Sequence, residues 1–359
     1  MTQLAPLSIR SHRGEYQVHF GPLFQDLEKL ASQKTHFIVD DRVAELYAKE
    51  LAPILKVPGQ VLRIQAIEEN KSMEEMPRYM KFLIERGVKR NHQLVAIGGG
   101  IIQDITAFIA GTLLRGVSWS FYPTTLLAQA DSCIGSKSSI NVGKYKNQVG
   151  TYTPPQEIRI SVDVLKTLTE PEIRSGVGEI IKIHLLAGEA QVAALQKEFH
   201  HLNLHHPEVL TRFIRQSLEL KKGWIEKDEF DQNERLLLNY GHTFGHAIES
   251  ATNFAIPHGI AVTLGMEMSN AISTHLGFVP QKWMEEVRPL LRKNSAGFRS
   301  TPIPMNEFLP AIRRDKKNSS TELALILTRG SGRMFRHMVA LDDKLQAAFE
   351  TFLASLKEE

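Results

Sequence analysis

Apolar and polar positions change rhythm partway along this chain. Tyr16-Gln17-Val18-His19-Phe20 alternates as a half-buried strand does. His36-Phe37-Ile38-Val39-Asp40 and Leu94-Val95-Ala96-Ile97 are short apolar runs of the kind found in parallel strands covered on both faces. Between them the spacing predicts a helix over 76–86, with Tyr79, Met80 and Leu83 on one side and Gly87 as its stop. Ser118 to Tyr122 reads as a further strand, closed by Pro123-Thr124-Thr125. Strands alternating with helices imply a parallel α/β sheet of the Rossmann-like kind. From about Ser161 the pattern turns mainly helical. Glu170-Pro171-Glu172 opens one helix with early carboxylates and proline in its first turn. Apolar spacing predicts others around Phe244, Ala247, Ile248 and Ala251, and over 263–275. The expected division is an α/β domain over 1–160 and a helical domain over 161–359.

Composition narrows the class. The chain has 359 residues, enough for roughly two domains. With 42% hydrophobic and 23% charged residues, it has the balance of a globular protein rather than a disordered one. Cys133, the one cysteine, excludes an internal disulfide and fits a reducing compartment. The first twenty residues are polar and carry Arg10, Arg13 and Glu15, unlike a secretory leader. No apolar run approaches the ~20 residues of a membrane span. Net charge is +3 with Lys and Arg spread along the chain, which argues against a nucleic-acid partner. A cytoplasmic globular protein with neither a membrane nor a nucleic-acid partner is the expectation.

Five sets of residues carry candidate chemistry. Gly98-Gly99-Gly100-Ile101-Ile102-Gln103-Asp104 follows a predicted strand and opens a helix, where glycines let a phosphate reach backbone N–H groups. Gln103 stands where the strict dinucleotide fingerprint needs its third glycine. Asp40 or Asp41, at a strand end, suits the hydroxyls of an adenosine ribose, although solvated strand-end aspartates are as common. Residues 123–150 combine small residues, amides and the cations Lys137, Lys144 and Lys146, fitting either an anion site or a surface loop. Glu179 and Lys182 share a helix face among apolar neighbours and read either as a surface pair or as a buried carboxylate needing a partner. His242 and His246 lie four apart on one helix face, with His258 following; a metal site and a hydrogen-bonded histidine pair both remain open. Thr243 rules out the zincin motif, which needs Glu there. The cluster His200, His201, His205 and His206 reads as a solvated loop. Arg313-Arg314-Asp315-Lys316-Lys317 reads as a charged surface run.

Taken in order, the Gly-Gly-Gly…Asp turn, Arg115-Gly116, Pro-Thr-Thr-Leu-Leu, Glu179…Lys182 and Asn-x-Gly-His-Thr-Phe-Gly-His resemble 3-dehydroquinate synthase and its sugar phosphate cyclase relatives. The resemblance covers roughly Phe37 to Lys317. It implies an NAD-binding domain, a helical domain, and an active site between them. It assigns zinc, or another divalent metal such as cobalt, to Glu179, His242 and His258. Gly99, Gly100, Asp104, Thr124, Thr125, Glu68 and Lys71 match cofactor positions. Asp131, Lys182, Lys221, Arg235, Asn239 and His246 match catalytic positions. Lys137, Lys146, Asn147, one of Lys316 and Lys317, and Arg115 match substrate contacts, Arg115 being donated across a dimer interface.

The implied reaction starts from a carboxylated seven-carbon keto acid phosphate, 3-deoxy-D-arabino-heptulosonate 7-phosphate. Transient oxidation by NAD, phosphate elimination, reduction and an aldol closure yield 3-dehydroquinate, with NAD regenerated. Arg235, Leu238, Asn239 and His246 keep the pattern of the carboxylate-using branch. Gly135-Ser136-Lys137-Ser138-Ser139 departs from the more usual Gly-Gly-Lys-Thr-Gly, and Tyr145 and Phe230 are also atypical. A specialised paralogue acting on a related ketose phosphate or amino analogue is therefore an alternative. A metal-dependent NAD polyol dehydrogenase is another, but it has no use for the phosphate set.

Overall fold

The computed structural model describes residues 4–25, 27–31, 34–57, 59–143, 145–313 and 322–356. The chain forms two compact units, Met1–Leu168 with Ile214–Asp231, and Thr169–Phe213 with Gln232–Glu359. The first unit thus runs a little past residue 160 and takes back a later segment, the end of the helix Pro207–Lys227 and the loop after it. Hydrogen bonds show why. Lys221 Nζ donates to the Asp131 carbonyl at 2.6 Å, and Glu226 and Glu229 accept from the backbone N–H groups of Arg10 at 2.8 Å and His12 at 2.6 Å. Such pairings join residues 90 to 217 apart in sequence, beyond the reach of a local hydrophobic pattern.

In the first unit, β1 (Leu7–Ser11), β2 (Gly14–Phe20), β3 (Thr35–Asp40), β4 (Val61–Ile64), β5 (Gln93–Gly98), β6 (Ser118–Pro123) and a later strand, Glu157–Ile160, form a seven-stranded sheet. Its order is β1, β2, Glu157–Ile160, β6, β5, β3, β4. Only β1 and β2 pair antiparallel; every other neighbour is parallel. The apolar runs Phe37–Val39 and Leu94–Ile97 are fully buried, as strands covered on both faces require. Asp40, Gly98 and Pro123 end β3, β5 and β6, so the candidate ribose, phosphate and Thr124–Thr125 positions gather at the carboxyl ends of adjacent strands. Ligands of open parallel sheets bind at that edge. Within the block 123–150, a π-turn over Ala128–Ser132 carries Asp131, and the short strands Ile140–Val142 and Tyr145–Val149 pair antiparallel.

The second unit is built on helices. Glu170–Ala187 begins with a capping box in which Thr169 and Glu172 satisfy each other's backbone, with Pro171 in the first turn. His242–Ala251 and His258–His275 follow, then Gln281–Ser295 and the hairpin Glu322–Thr328/Met334–Ala340. The helix predicted over 263–275 starts at His258 instead. Gly259 weakens the local helix signal, yet that glycine is what the packing needs. A Cβ on Gly259 would sit 1.8 Å from the Ser175 carbonyl oxygen, and one on Gly178 would sit 2.1 Å from the Gly259 oxygen. The two helices therefore touch backbone to backbone, and Gly259 N–H donates to Ser175 Oγ at 2.8 Å. A Cβ on Gly265 would meet the Gly241 oxygen at 2.1 Å, so the His242 helix is drawn equally close. Gly241 is also left-handed, at φ 78°.

No helix of the described residues is long and apolar enough to cross a membrane. Replacing Gly259 by Ala should force these helices apart. We expect a loss of about 1–3 kcal/mol in denaturant unfolding, typical of overpacking, together with reduced retention of divalent metal by the purified protein.

Candidate metal and cofactor sites

Three of the glycines at the helix crossings have a candidate ligand beside them: Gly178–Glu179, Gly241–His242 and His258–Gly259. Close approach of the backbones brings these side chains together. His258 Nε2 lies 3.3 Å and His242 Nε2 lies 3.8 Å from Glu179 Oε1, and Glu179 is 1% exposed. The donor nitrogens of His242, His246 and His258 lie within 4.8 Å of one another, the one such group of three or more among the described residues. Ligand atoms about 2.0–2.1 Å from a tetrahedral ion sit roughly 3.4 Å apart, so the spacing fits a divalent metal. The far side of each ring fits as well. His258 Nδ1 meets Glu249 Oε2 at 3.0 Å, and His242 Nδ1 faces the Tyr240 carbonyl at 3.3 Å. These contacts turn Nε2 inward, as metal-binding histidines require.

Electrostatics agree. Burial, with Lys182, His246 and His258 nearby, holds His242 well below the ordinary histidine value, so its ring is neutral and can bind a metal. Burial also works against charge on His258, but Glu249 and Glu179 outweigh it and push that ring up to about 10. Without a metal, two carboxylates thus stabilise positive charge here; a divalent cation satisfies the same field. Lys182 Nζ lies 2.5 Å from Glu179 Oε2, and both groups are buried. A buried pair of this kind is costly to assemble and serves as weak evidence for stability alone. Of the helix pair, His242 is partly buried and faces Glu179, whereas His246 is exposed; the three histidines form the group, and Glu179 lies against two of them.

Arg235 is buried in the turn Glu234–Asn239, and Asn239 Nδ2 donates to the Leu236 carbonyl at 3.0 Å. Lys316 and Lys317 lie outside the described residues. Glu249 was not among the sequence candidates. Its signal was available: His242, His246 and Glu249 fall at i, i+4 and i+7, one face of one helix.

The first unit gathers the other set. Lys71 Nζ donates to Asp104 Oδ2 at 3.2 Å and Asn147 Oδ1 at 3.0 Å, and lies 3.3 Å from Glu68 Oε1. Lys146 lies 4.0 Å from the same Glu68 oxygen. Burial opposes charge on Lys71, but Asp104 and Glu68 prevail and raise its pKa. Burial likewise raises Asp104 against the pull of Lys71. Ser139, missed in the sequence, donates to Asp104 and Asn147, and Asn141 Nδ2 donates to Glu68 Oε1 at 2.9 Å. Asn147 is left-handed at φ 55°, a strain held by these bonds.

At the strand ends, a Cβ on Gly99 would meet Thr125 Cγ2 at 2.9 Å, whereas one on Gly100 would find nothing nearer than Ser132 Oγ at 3.8 Å. The helix start at Gly100 is thus open to an incoming group, as a pyrophosphate site must be. Thr124 N–H donates to the Gly98 carbonyl at 2.9 Å. Asp40 caps the helix Asp41–Leu46 through Arg42 N–H at 3.0 Å, and Asp41 pairs with Arg63 at 2.6 Å.

Asp131 and Lys221 form a buried pair at 2.6 Å. Cys133 is beside them, and burial, despite Lys221, pushes its thiol up to about 12, which makes it inert near neutral pH. Lys137 meets Asp231 at 2.6 Å. Arg115 is exposed and left-handed at φ 63°, after Leu114 at φ 53°, and forms no ion pair among the described residues.

A mostly parallel sheet with a glycine turn, joined in sequence to helices holding a carboxylate and three histidines, fits a dinucleotide- and metal-using enzyme such as a sugar phosphate cyclase. The comparisons agree. Models of the 3-dehydroquinate synthase N-terminal and C-terminal regions match residues 61–175 and 176–318. A 3-dehydroquinate synthase of Alkaliphilus metalliredigens (strain QYMF) is 30% identical over 354 residues, which covers 97% of this chain and 99% of that protein. The chain belongs to the 3-dehydroquinate synthase family. Among solved structures, 2-deoxy-scyllo-inosose synthase complexed with carbaglucose-6-phosphate, NAD+ and Co2+ shares the fold at a TM-score of 0.85 and 22% identity, over 98% of this chain and 100% of that one. 2-epi-5-epi-valiolone synthase from Streptomyces hygroscopicus subsp. jinggangensis 5008, with NAD+ and Zn2+ bound, has a TM-score of 0.79 and 25% identity, over 100% of this chain and 99% of that one.

Glu249→Gln should leave the three inner donors in place and weaken metal retention about 10–100-fold, the usual cost of losing an outer partner. Chelator competition on the purified protein measures this; retention equal to the parent would remove Glu249 from the site.

Proposed function

We propose that this chain converts 3-deoxy-D-arabino-heptulosonate 7-phosphate to 3-dehydroquinate and phosphate, using NAD and a divalent metal, zinc or cobalt. The observation that carries the reading is the convergence of Glu179, His242 and His258, with their outer partners Glu249 and Tyr240, in a member of this family. When bound, NAD supplies reversible oxidation of a ring hydroxyl, and the metal supplies Lewis-acid stabilisation of the oxygen that loses its proton.

The chain's own residues do the rest. Lys182, held by Glu179, orders the hydroxyls at the redox centre and donates hydrogen bonds through Nζ. Asp131 and Lys221 move a proton at Asp131 Oδ1, the oxygen the lysine touches. Lys71 and Asp104 fix the cofactor end, with Gly99, Gly100, Thr124 and Thr125 taking its phosphates and Asp40 or Asp41 its ribose. Asn147 spends its Oδ1 on Lys71 and Ser139, which leaves its NH2 to donate to the substrate phosphate. Lys137, Lys146 and His246 complete that phosphate set, with Lys316 or Lys317 reaching the substrate as well. Arg235 offers a planar fork to the substrate carboxylate and Asn239 supports it. Arg115, exposed and without an ion pair among the described residues, serves a second copy of the chain in a homodimer.

A specialised paralogue is the second reading, and a specific observation favours it. Ser139, within the atypical Gly135–Ser139 segment, touches Asp104 and Asn147 directly, so the departure falls on cofactor and substrate residues. A metal-dependent polyol dehydrogenase accounts for neither the phosphate set nor the buried Arg235.

A phosphate-release screen with NAD+ and Zn2+, across carboxylated and non-carboxylated ketose phosphates, separates these readings. The expected result is phosphate and a carbocycle from the seven-carbon keto acid phosphate, without net NADH. Arg235→Ala should cost that substrate about 10²-fold or more in kcat/KM, the scale of a lost charged contact, and a non-carboxylated one far less. Net NADH accumulation on a polyol, or equal losses on both substrate types, would remove the corresponding part of the proposal.

A further inference from the structure

Lys137 is gripped from both ends by one short loop. Its Nζ donates to Asp231 Oδ2 at 2.6 Å. The residue before it, Ser136, donates through Oγ to Glu229 Oε1, also at 2.6 Å. Glu229 is itself aimed by the turn of the β1–β2 hairpin: His12 N–H donates to its Oε2 at 2.6 Å, and His12 Nδ1 lies 3.0 Å from its Oε1. Between the two acids, the Phe230 carbonyl accepts from Tyr152 O–H at 2.8 Å, and Tyr152 is the bridge partner of Lys137. The Ser136 carbonyl is held too, accepting from Thr153 N–H at 2.7 Å.

The backbone shows what this grip is for. Gly135 and Ser136 are consecutive left-handed residues, at φ 114° and 63°. Glycine adopts this region freely, but serine has a Cβ that resists it. Such strain persists where surrounding contacts over-determine the conformation. Ser136 is buried, and its hydroxyl bond to Glu229 is charge-assisted and short, the strong type.

We propose that Glu229 is a positioning residue for Lys137: it clamps the hydroxyl of Ser136, holds that residue left-handed, and so sets the direction in which Lys137 leaves the chain. The inference rests on the reading of Lys137 as a phosphate-holding group. A glycine at 136 would not need the clamp.

The test is a cycle on the full-length chain with Ser136→Gly, Glu229→Ala and the double variant, followed by thermal unfolding and by KM and kcat on whichever ketose phosphate the parent turns over. Glu229→Ala should raise KM about tenfold with kcat within about twofold, the signature of lost ground-state positioning. In the Ser136→Gly chain the same replacement should raise KM far less and cost less thermal stability. Ser136→Ala, which keeps the Cβ and loses the hydroxyl, should raise KM where Ser136→Gly does not, and this comparison leaves Glu229 untouched. Equal effects of Gly and Ala at 136, or an equal KM rise from Glu229→Ala in both backgrounds, overturn the clamp. If the parent turns over no ketose phosphate, the functional reading fails, and the stability cycle alone decides: additive losses overturn the clamp, and a smaller loss in the Ser136→Gly chain supports it.

Discussion

Backbone contact between helices is the constraint on which the candidate metal cluster depends. Where Glu170–Ala187 meets His258–His275, the packing leaves no room for a Cβ at Gly178 or Gly259. Helices packed through ordinary side chains lie 8–10 Å apart; glycines at the crossing permit closer approach. That closeness lets the short carboxylate of Glu179 reach two histidines carried by two other helices. Distance between ligands is thus governed by residues that have no side chain at all. Small residues at the crossing also make the arrangement rigid, because no rotamer can relax to absorb a shift.

Around that crossing, charge is distributed to favour one kind of guest. Two carboxylates, Glu179 and Glu249, face His258, while His242 is kept neutral by burial beside Lys182. A site assembled only for stability would gain from apolar replacements of similar volume. Retaining buried acids, a lysine and histidines in one place makes sense where a cation and an oxygen-rich substrate are to be handled. The first unit repeats the theme at the strand ends, where Lys71 draws Glu68, Asp104 and Asn147 into one network. In the first unit unusual backbone marks the candidate residues: Asn147, Ser136 and Asp231 are left-handed, and Asp131 rides a π-turn.

Much of this was legible in order along the chain. Fully buried strands announce themselves as continuous apolar runs, and Phe37–Val39 and Leu94–Ile97 did so. The capping signal at Thr169–Glu172 is local, and so was the helix it starts. Glu179, His242 and His258 emerged as a set because motifs in a fixed order carry more information than any one spacing. Glu249, Ser139 and Asn141 escaped for a common reason. Each supports a neighbour by a hydrogen bond whose partner is 8 to 73 residues away or around the helix face, and each is of a type ordinarily found at surfaces. The return of residues 214–231 to the first unit escaped for a related reason, since its anchors are single polar contacts rather than a period.

By itself, then, the sequence determined the succession of strands and helices and the glycine turn, because periodicity, capping and residue chemistry act over a few positions; its candidate metal donors came instead from the order of motifs along the chain. Tertiary structure alone decided which imidazole nitrogen faces inward, that Lys182 rather than solvent meets Glu179, and that one loop holds Lys137 at both ends. Those outcomes depend on distances between segments far apart in the chain. Such distances come from how closely backbones pack and which buried polar atoms must find a partner, and no local pattern encodes either.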